Sequence, residues 1–223
     1  MQRFFDIVFS GLALLFLAPI LIPIMIILKF TGEGEIFYIQ QRVGQGGEMF
    51  GLLKFATMLK DSPNLGSGTI TVKNDPRVLP LGGFLRKTKI NELPQLLNIL
   101  KGDMSIIGPR PQDKRCFVVF DEEDQENIKK VRPGLSGVGS IIFRDEETLL
   151  DTQESLKAKE DFYDNVISPY KGKVESWYYK HQSISLYFKL IWLTVLAVIK
   201  PDEKISFEEM YDNFPSLPES LKL

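Results

Sequence analysis

The sequence predicts an α/β chain, predominantly helical, that is held at a membrane by its N-terminus and carries one small β-hairpin. Three observations predict it. Ile7–Leu28 runs for 22 residues without a charge. IFYIQQRVGQGGEMFG at 36–51 reads as a short strand, a Gly-rich turn and a second strand. Most of the remaining chain alternates amphipathic helical stretches with turns punctuated by Pro and Gly. Of the 223 residues 44% are apolar and 25% charged, which excludes a disordered polymer. Twenty-seven basic against 29 acidic residues give a net charge of −2, so there is no general field for nucleic acid.

Taken in order, the first element is the apolar run. As a helix it is roughly 33 Å long at about 1.5 Å per residue, close to the thickness of a bilayer core. No small-residue cleavage site follows it, which argues against a secretory signal. Pro19 and Pro23 each remove an amide donor and crowd the preceding turn. Two topologies fit: a kinked spanning helix, or a sharper break that returns the chain to the face it entered. Arg3 and Lys29 flank the run and assign no side.

In the second element Gly44, Gly46 and Gly47 suit a hairpin turn. A phosphate-cradling loop is less apt, since no Gly-Lys-Ser/Thr follows. KFATMLK at 54–60 begins a short helix or strand, 61–68 is a polar loop, and NDPRVLPLGGFLRK follows. Next, Asn91 is placed to cap a helix whose first turn holds Glu92 and Pro94. Leu93, Leu96, Leu97 and Leu100 form its apolar face, and Gly102 closes it. A helix N-terminus offers free amides to an anion, with Arg86, Lys87 and Lys89 just upstream.

Asp103 and the GPRP turn, Gly108–Pro111, come next, and a second basic turn lies at Val131–Gly134. The acidic stretch at 121–126 reads as a solvated helix face, and 145–159 as a polar helical segment. ISLYFKLIWLTVLAVI at 184–199 contains Lys189 and is short for a span, so it reads as an interfacial helix or a buried one. In the interfacial case Lys180, Lys189 and Lys200 reach headgroups, and Trp177, Tyr178, Tyr179, Tyr187 and Trp192 lie at the interface. The last residues, 201–223, look peripheral. Three segments result: 1–30, 31–200 and 201–223.

Candidate chemistry is set by residue types. Cys116 is the single cysteine, so no disulfide or cysteine metal cluster forms within the chain; it reads as a core thiol. His181 is the single histidine and has no carboxylate near it in sequence, which speaks against a catalytic triad. Glu92 and Asp103 offer hard oxygens for a divalent ion or for proton transfer. Arg86, Arg110 and Arg132 can hold phosphate through planar multidentate contacts.

KFATM at Lys54–Met58, NDPRV at Asn74–Val78, LRKTKINELPQLLNILKGDMSIIGPRP at Leu85–Pro111 and VRPGLSG at Val131–Gly137 together resemble the bacterial sugar transferase family. These are the short monotopic phosphoglycosyl transferases that start glycoconjugate assembly on a polyprenyl phosphate. The likeness reaches to about Lys200, and the continuous block ending at Pro111 makes it specific. The resemblance implies a membrane-associated catalytic domain with a re-entrant N-terminal helix broken near Pro19 and interfacial amphipathic helices. It also implies transfer of a sugar phosphate from a UDP-sugar to polyprenyl phosphate with Mg2+, at the cytoplasmic face of a bacterial inner membrane. Homo-oligomers or downstream glycosyltransferases are the expected partners.

By the same resemblance Glu92 matches the acidic partner and magnesium ligand. Arg86 and the Pro109–Arg110–Pro111 turn match phosphate-binding or site-shaping positions, as does Arg132. Lys54 and Asp103 join them as further site residues. Asn91 stands where the family has its nucleophilic Asp. It preserves the shape of that position and lacks the carboxylate's charge. The departure admits an engineered block, another carboxylate in the nucleophile's place, or a binding protein without turnover.

Overall fold

The computed structural model describes residues 1–65, 75–200, 203 and 205–221. Asn74 of the NDPRV motif, the end of the 61–68 loop and parts of the 201–223 segment lie outside the described residues. The chain forms two compact units: unit 1 comprises Met1–Phe5, Arg42–Phe50 and Asp103–Leu223, and unit 2 comprises Asp6–Gln41 and Gly51–Gly102.

Helix α1 spans Gln2–Phe30 and is helical through both Pro19 and Pro23. It is the one helix among the described residues long and apolar enough to cross a membrane by length and composition, its apolar 18-residue stretch having a mean hydropathy of 2.8. Only a narrow stripe of it is used inside unit 2. Leu21, Ile24 and Leu28 pack with Phe55 and Leu85. Leu15, Phe16, Ile20, Ile22, Ile26 and Phe30 stay exposed. An apolar surface that the protein does not cover marks a contact with lipid or a partner.

Strands β1 (Phe37–Val43) and β2 (Met49–Phe55) form the expected hairpin. Its turn, Gln45–Gly47, holds Gly46 and Gly47 at φ 74° and 79°, a left-handed backbone that glycine adopts without a Cβ clash. KFATM continues from β2 as extended chain, with Met58 bridging Val78 antiparallel. Asp75 and Arg77 form a buried ion pair at 2.6 Å, and Arg77 also donates to the carbonyls of Ser62 and Leu65. Helix α2 covers Gly82–Lys87 and α3 covers Gln95–Lys101. Buried Asn98 ties α3 to β2 by accepting from Leu53 N–H at 2.9 Å and donating to the Gly51 carbonyl at 2.8 Å. Gly102 ends α3 in the left-handed conformation, as expected.

Two expectations for this segment change. Asn91 is not the cap of α3: it lies in a separate 3-10 turn, Ile90–Glu92, entered through Lys89 at φ 59°, and α3 starts after Pro94. The reason is local: Pro94 has no N–H to donate back to Ile90, and the bonds on either side of it are of the tighter i→i−3 kind, Leu93 N–H to Ile90 and Leu96 N–H to Leu93. The buried face of α3 is Gln95, Leu96, Asn98 and Ile99, with Leu97 44% exposed. The paired amide of Asn98 makes a polar residue acceptable inside.

Unit 1 is built on two short parallel strands, β3 (Ser105–Ile107) and β4 (Gly134–Ser136), with Ser105 opposite Gly134 and Ile107 opposite Ser136. Around them stand α4 (Lys114–Phe117), α5 (Glu122–Lys129), α6 (Val138–Ile142), α7 (Glu146–Asp151) and α8 (Leu156–Phe162). One wider turn, Tyr163–Ile167, leads into α9 (Ser168–Lys180), and α10 covers Ile184–Ile199. Core residues come from α9 (Tyr170, Val174, Trp177, Tyr178) and from one face of α10 (Leu186, Tyr187, Leu190, Leu193). The opposite face of α10 exposes Phe188, Trp192, Val195, Val198 and Ile199.

Trp192 is exposed, as an interfacial residue would be, whereas Trp177, Tyr178 and Tyr187 are buried in the core. For the first two, the polar tips explain it: Tyr178 Oη donates to the Ile107 carbonyl and Trp177 Nε1 to Asn213 Oδ1, so the rings bury without losing a hydrogen bond. The polar C-terminal stretch also sends Phe207, Phe214 and Leu221 into this core.

Glycine spacing gives a paired prediction. A Cβ at Gly134 would overlap the Gly108 main chain, whereas one at Gly83 meets nothing within 4 Å. Gly134→Ala is expected to destabilise the protein by roughly 1–3 kcal/mol. Gly83→Ala, on exposed helix, is expected to be neutral or to stabilise by about 0.5–1 kcal/mol. Thermal melts of the two variants in one detergent check both.

Candidate active site

The nine sequence-predicted residues divide between the units: Lys54, Arg86, Asn91 and Glu92 belong to unit 2, and Asp103, Pro109, Arg110, Pro111 and Arg132 to unit 1. In unit 2 the short pieces α2, the Ile90–Glu92 turn and α3 follow one another closely. Arg86, half-buried in the last turn of α2, brings Nη1 to 3.7 Å from Met58 Sδ. Lys54 sits half-buried on β2.

Asn91 is 8% exposed, and its Oδ1 is buried with no hydrogen-bond partner. An unmatched buried acceptor costs about 1–3 kcal/mol, so a fold keeps one where something other than stability is served. Glu92, next in the turn, is half-buried. At seven residues α3 is too short to serve as a helix-end anion site, so the phosphate-binding case in this unit rests on side chains.

In unit 1 the two basic turns are sewn together. Gly108 N–H donates to the Ser136 carbonyl at 3.0 Å, Gly134 N–H to Pro109 at 2.8 Å, and Ser105 N–H to Pro133 at 2.9 Å. The GPRP turn and the VRPG turn, and with them Arg110 and Arg132, are thereby one structural piece. Pro109 and Pro111 are buried and rigidify it; Arg110, Arg132 and Asp103 are half-buried. Two arginines are thus carried on adjoining stiff turns.

Glu175 on α9 belongs to none of the sequence motifs. It is 1% exposed, and its Oε1 accepts the Arg110 main-chain N–H at 2.9 Å. Burial pushes its carboxyl up to about 7, against main-chain bonding from Arg110 and Gly139 and the charges of Lys171 and Arg110. The one sequence signal for it is the four-residue spacing to Lys171, which is also fully buried and pairs with Glu146 at 2.7 Å. Both residues look like members of an ordinary polar helix until the helix is found to be central.

The single histidine and the single cysteine, neither of them expected to be catalytic, have structural surroundings. His181 stacks on Trp177 with centroids 4.4 Å apart; its Nδ1 lies 2.8 Å from the Trp177 carbonyl and its Nε2 2.7 Å from Asn213 Nδ2. Burial raises the pKa of the Cys116 thiol, which keeps it protonated and unreactive. Among the described residues no group of three His, Cys, Asp or Glu forms a metal site.

A chain with a long apolar helix, stiff arginine turns and an acidic turn has the parts of a membrane-associated protein built for phosphate esters. The family described as bacterial sugar transferase matches residues 1–201, and the chain belongs to this family of polyprenyl-phosphate sugar transferases. It is 36% identical over 159 residues to the exopolysaccharide production protein ExoY of Rhizobium meliloti (strain 1021), covering 65% of this chain and 70% of that one. It is 33% identical over 201 residues to the UDP-glucose:undecaprenyl-phosphate glucose-1-phosphate transferase of Escherichia coli (strain K12), covering 87% of this chain and 39% of that one. The UDP-N-acetylgalactosamine-undecaprenyl-phosphate N-acetylgalactosaminephosphotransferase of Aeromonas hydrophila is 32% identical over 201 residues, with 89% and 42% covered. The chain therefore spans less than half the length of the latter two.

The raised Glu175 carboxyl has a consequence for stability. Its proton is bound more tightly in the folded chain, whose carboxyl stands near 7 against an ordinary 4.5. The stabilisation is complete below the ordinary value and is lost as pH rises through about 7. Relative to Glu175→Gln, the wild type is expected to lose on the order of 3 kcal/mol between about pH 5 and about pH 8. Paired denaturation curves across that range check the sign.

Proposed function

We propose that this chain transfers a sugar phosphate from a UDP-sugar to polyprenyl phosphate, opening the assembly of a lipid-linked glycan or polysaccharide. The observation that carries it is the bacterial sugar transferase family's match to residues 1–201, with the motif block Leu85–Pro111 inside it. The printed names of the Escherichia and Aeromonas relatives, which specify UDP-sugars and undecaprenyl phosphate, support the substrate classes. In this reading α1 enters the inner membrane re-entrantly from the cytoplasmic side, bending near Pro19, and the exposed apolar face of α10 rests on the bilayer.

Arg86, Arg110 and Arg132 hold phosphate oxygens through multidentate contacts. Magnesium suits the donor set: Glu92 is a hard oxygen donor, and the unmatched Asn91 Oδ1 is a second, neutral one. One or two protein oxygens are enough for this ion, which completes its shell with water and substrate phosphate. When bound, it offsets phosphate charge. Lys54 and Asp103 contribute to the same chemistry.

The nucleophile is the open role. In the family's scheme an Asp attacks the sugar-bearing phosphorus, UMP leaves, and a polyprenyl phosphate oxygen then displaces the carboxylate. An amide oxygen carries no charge and cannot hold that intermediate as a carboxylate does. In transfer by the unaltered chain Glu92 or Asp103 takes the part. Asn91 itself favours a second reading, a protein that binds sugar nucleotide or lipid phosphate without turnover.

Asn91→Asp is expected to raise transfer by about 100-fold or more, read as UMP release and lipid-linked sugar with a panel of UDP-sugars, polyprenyl phosphate and Mg2+. Transfer by the unaltered chain with no gain in Asn91→Asp points instead to another carboxylate, and no transfer by either form favours the binding protein. Arg86→Ala and Glu92→Gln are each expected to weaken UDP-sugar binding in Mg2+ by roughly tenfold. Equal binding by wild type and both variants would remove the assignment of these two residues.

A further inference from the structure

The GPRP turn has an unusual shortage of main-chain donors. Pro109 and Pro111 carry no N–H, so Arg110 supplies the only one between residues 109 and 111. That single N–H is taken by a buried carboxylate, Glu175 Oε1, at 2.9 Å. A carboxylate is a costly way to satisfy main-chain amides, here those of Arg110 and Gly139: a glutamine would do so without burying an acid. Its second oxygen is buried and makes no hydrogen bond. Space is reserved for it from the far side as well, since a Cβ at Gly139 on α6 would overlap the carboxylate. The turn is held at its ends by neutral bonds, Gly134 N–H to the Pro109 carbonyl at 2.8 Å and Val43 N–H to the Gln112 carbonyl at 2.9 Å. Its middle, the residue bearing the guanidinium, is held by the carboxylate of Glu175.

We propose that Glu175 is a positioning residue for anion binding: its carboxyl group fixes the main chain of Arg110, and its ionisation is coupled to the arrival of a phosphate at the Arg110 side chain. The proposal rests on the phosphate-binding role assigned to Arg110 above. The charged groups facing Glu175 are Arg110 itself and Lys171 on its own helix, the latter paired with Glu146 of α7; α6 faces it with the Gly139 main chain. When phosphate takes up the Arg110 charge, the carboxylate loses part of its compensation and gains affinity for a proton. Because its carboxyl already stands near 7, this exchange falls in the neutral range.

The test uses the full-length chain in lipid nanodiscs, with hydrogen exchange followed by mass spectrometry and UDP-glucose as the probe. Glu175→Ala is expected to speed exchange in the peptide containing Arg110 by roughly tenfold, the scale of one hydrogen bond to a charged group, and to weaken UDP-glucose binding to a similar degree. Exchange in α10 is expected to stay unchanged. Glu175→Gln keeps an oxygen acceptor and is expected to restore protection and binding at neutral pH. It is also expected to abolish the inflection near neutrality that the wild type shows in UDP-glucose affinity against pH. Unchanged exchange in Glu175→Ala, or the same pH profile in Glu175→Gln, overturns the proposal. Should Glu175→Ala fail to fold, the pH profile of Glu175→Gln decides. Local exchange that responds as expected, with no binding of any member of the UDP-sugar panel by any form, upholds the anchor and overturns the transferase reading instead.

Discussion

Unit 1 depends on main chains touching where no side chain intervenes. Strands β3 and β4 are three residues each, too short to be stable through their ladder alone. They hold because Gly108, Gly134 and Gly137 let the GPRP and VRPG turns lie against each other backbone to backbone. The prolines on either side remove the freedom such glycines would otherwise leave. Rigidity at Arg110 and Arg132 is thus obtained from a handful of residues, and the helices α6, α9 and α10 supply the apolar mass around them.

Unit 2 solves a different problem with similar economy. Its core is small, and polar residues do part of the joining: Asn98 bonds β2, and Arg77 with Asp75 ties the 62–65 turn. Against that background the unmatched acceptor of Asn91 stands out, because the nearby buried amide of Asn98 is satisfied.

Periodicity and punctuation were readable where the physics is local. The bounds of α10 at 184 and 199, the hairpin with its glycines and the stop at Gly102 follow from one-dimensional rules about apolar spacing and left-handed backbone. The start of α3 was not readable in the same way, because an Asn before Glu-Leu-Pro satisfies the capping pattern while Pro94 overrides it. Trp177, Tyr178 and Tyr187 resembled interface residues since their amphipathic rings suit both settings; only distant partners such as Ile107 decide between them. At the site the motif residues were visible from sequence. Glu175 was not, because the Arg110 amide it binds lies 65 positions away.

The apolar flank of α10, with Trp192 61% and Val198 76% exposed, bears on how a lipid reaches such a protein. A lipid that meets this face within a bilayer arrives by lateral diffusion in a plane. Encounter rates then scale with the number of carrier molecules per unit of membrane area. Dilution of the surrounding volume leaves them unchanged, whereas adding inert phospholipid slows them.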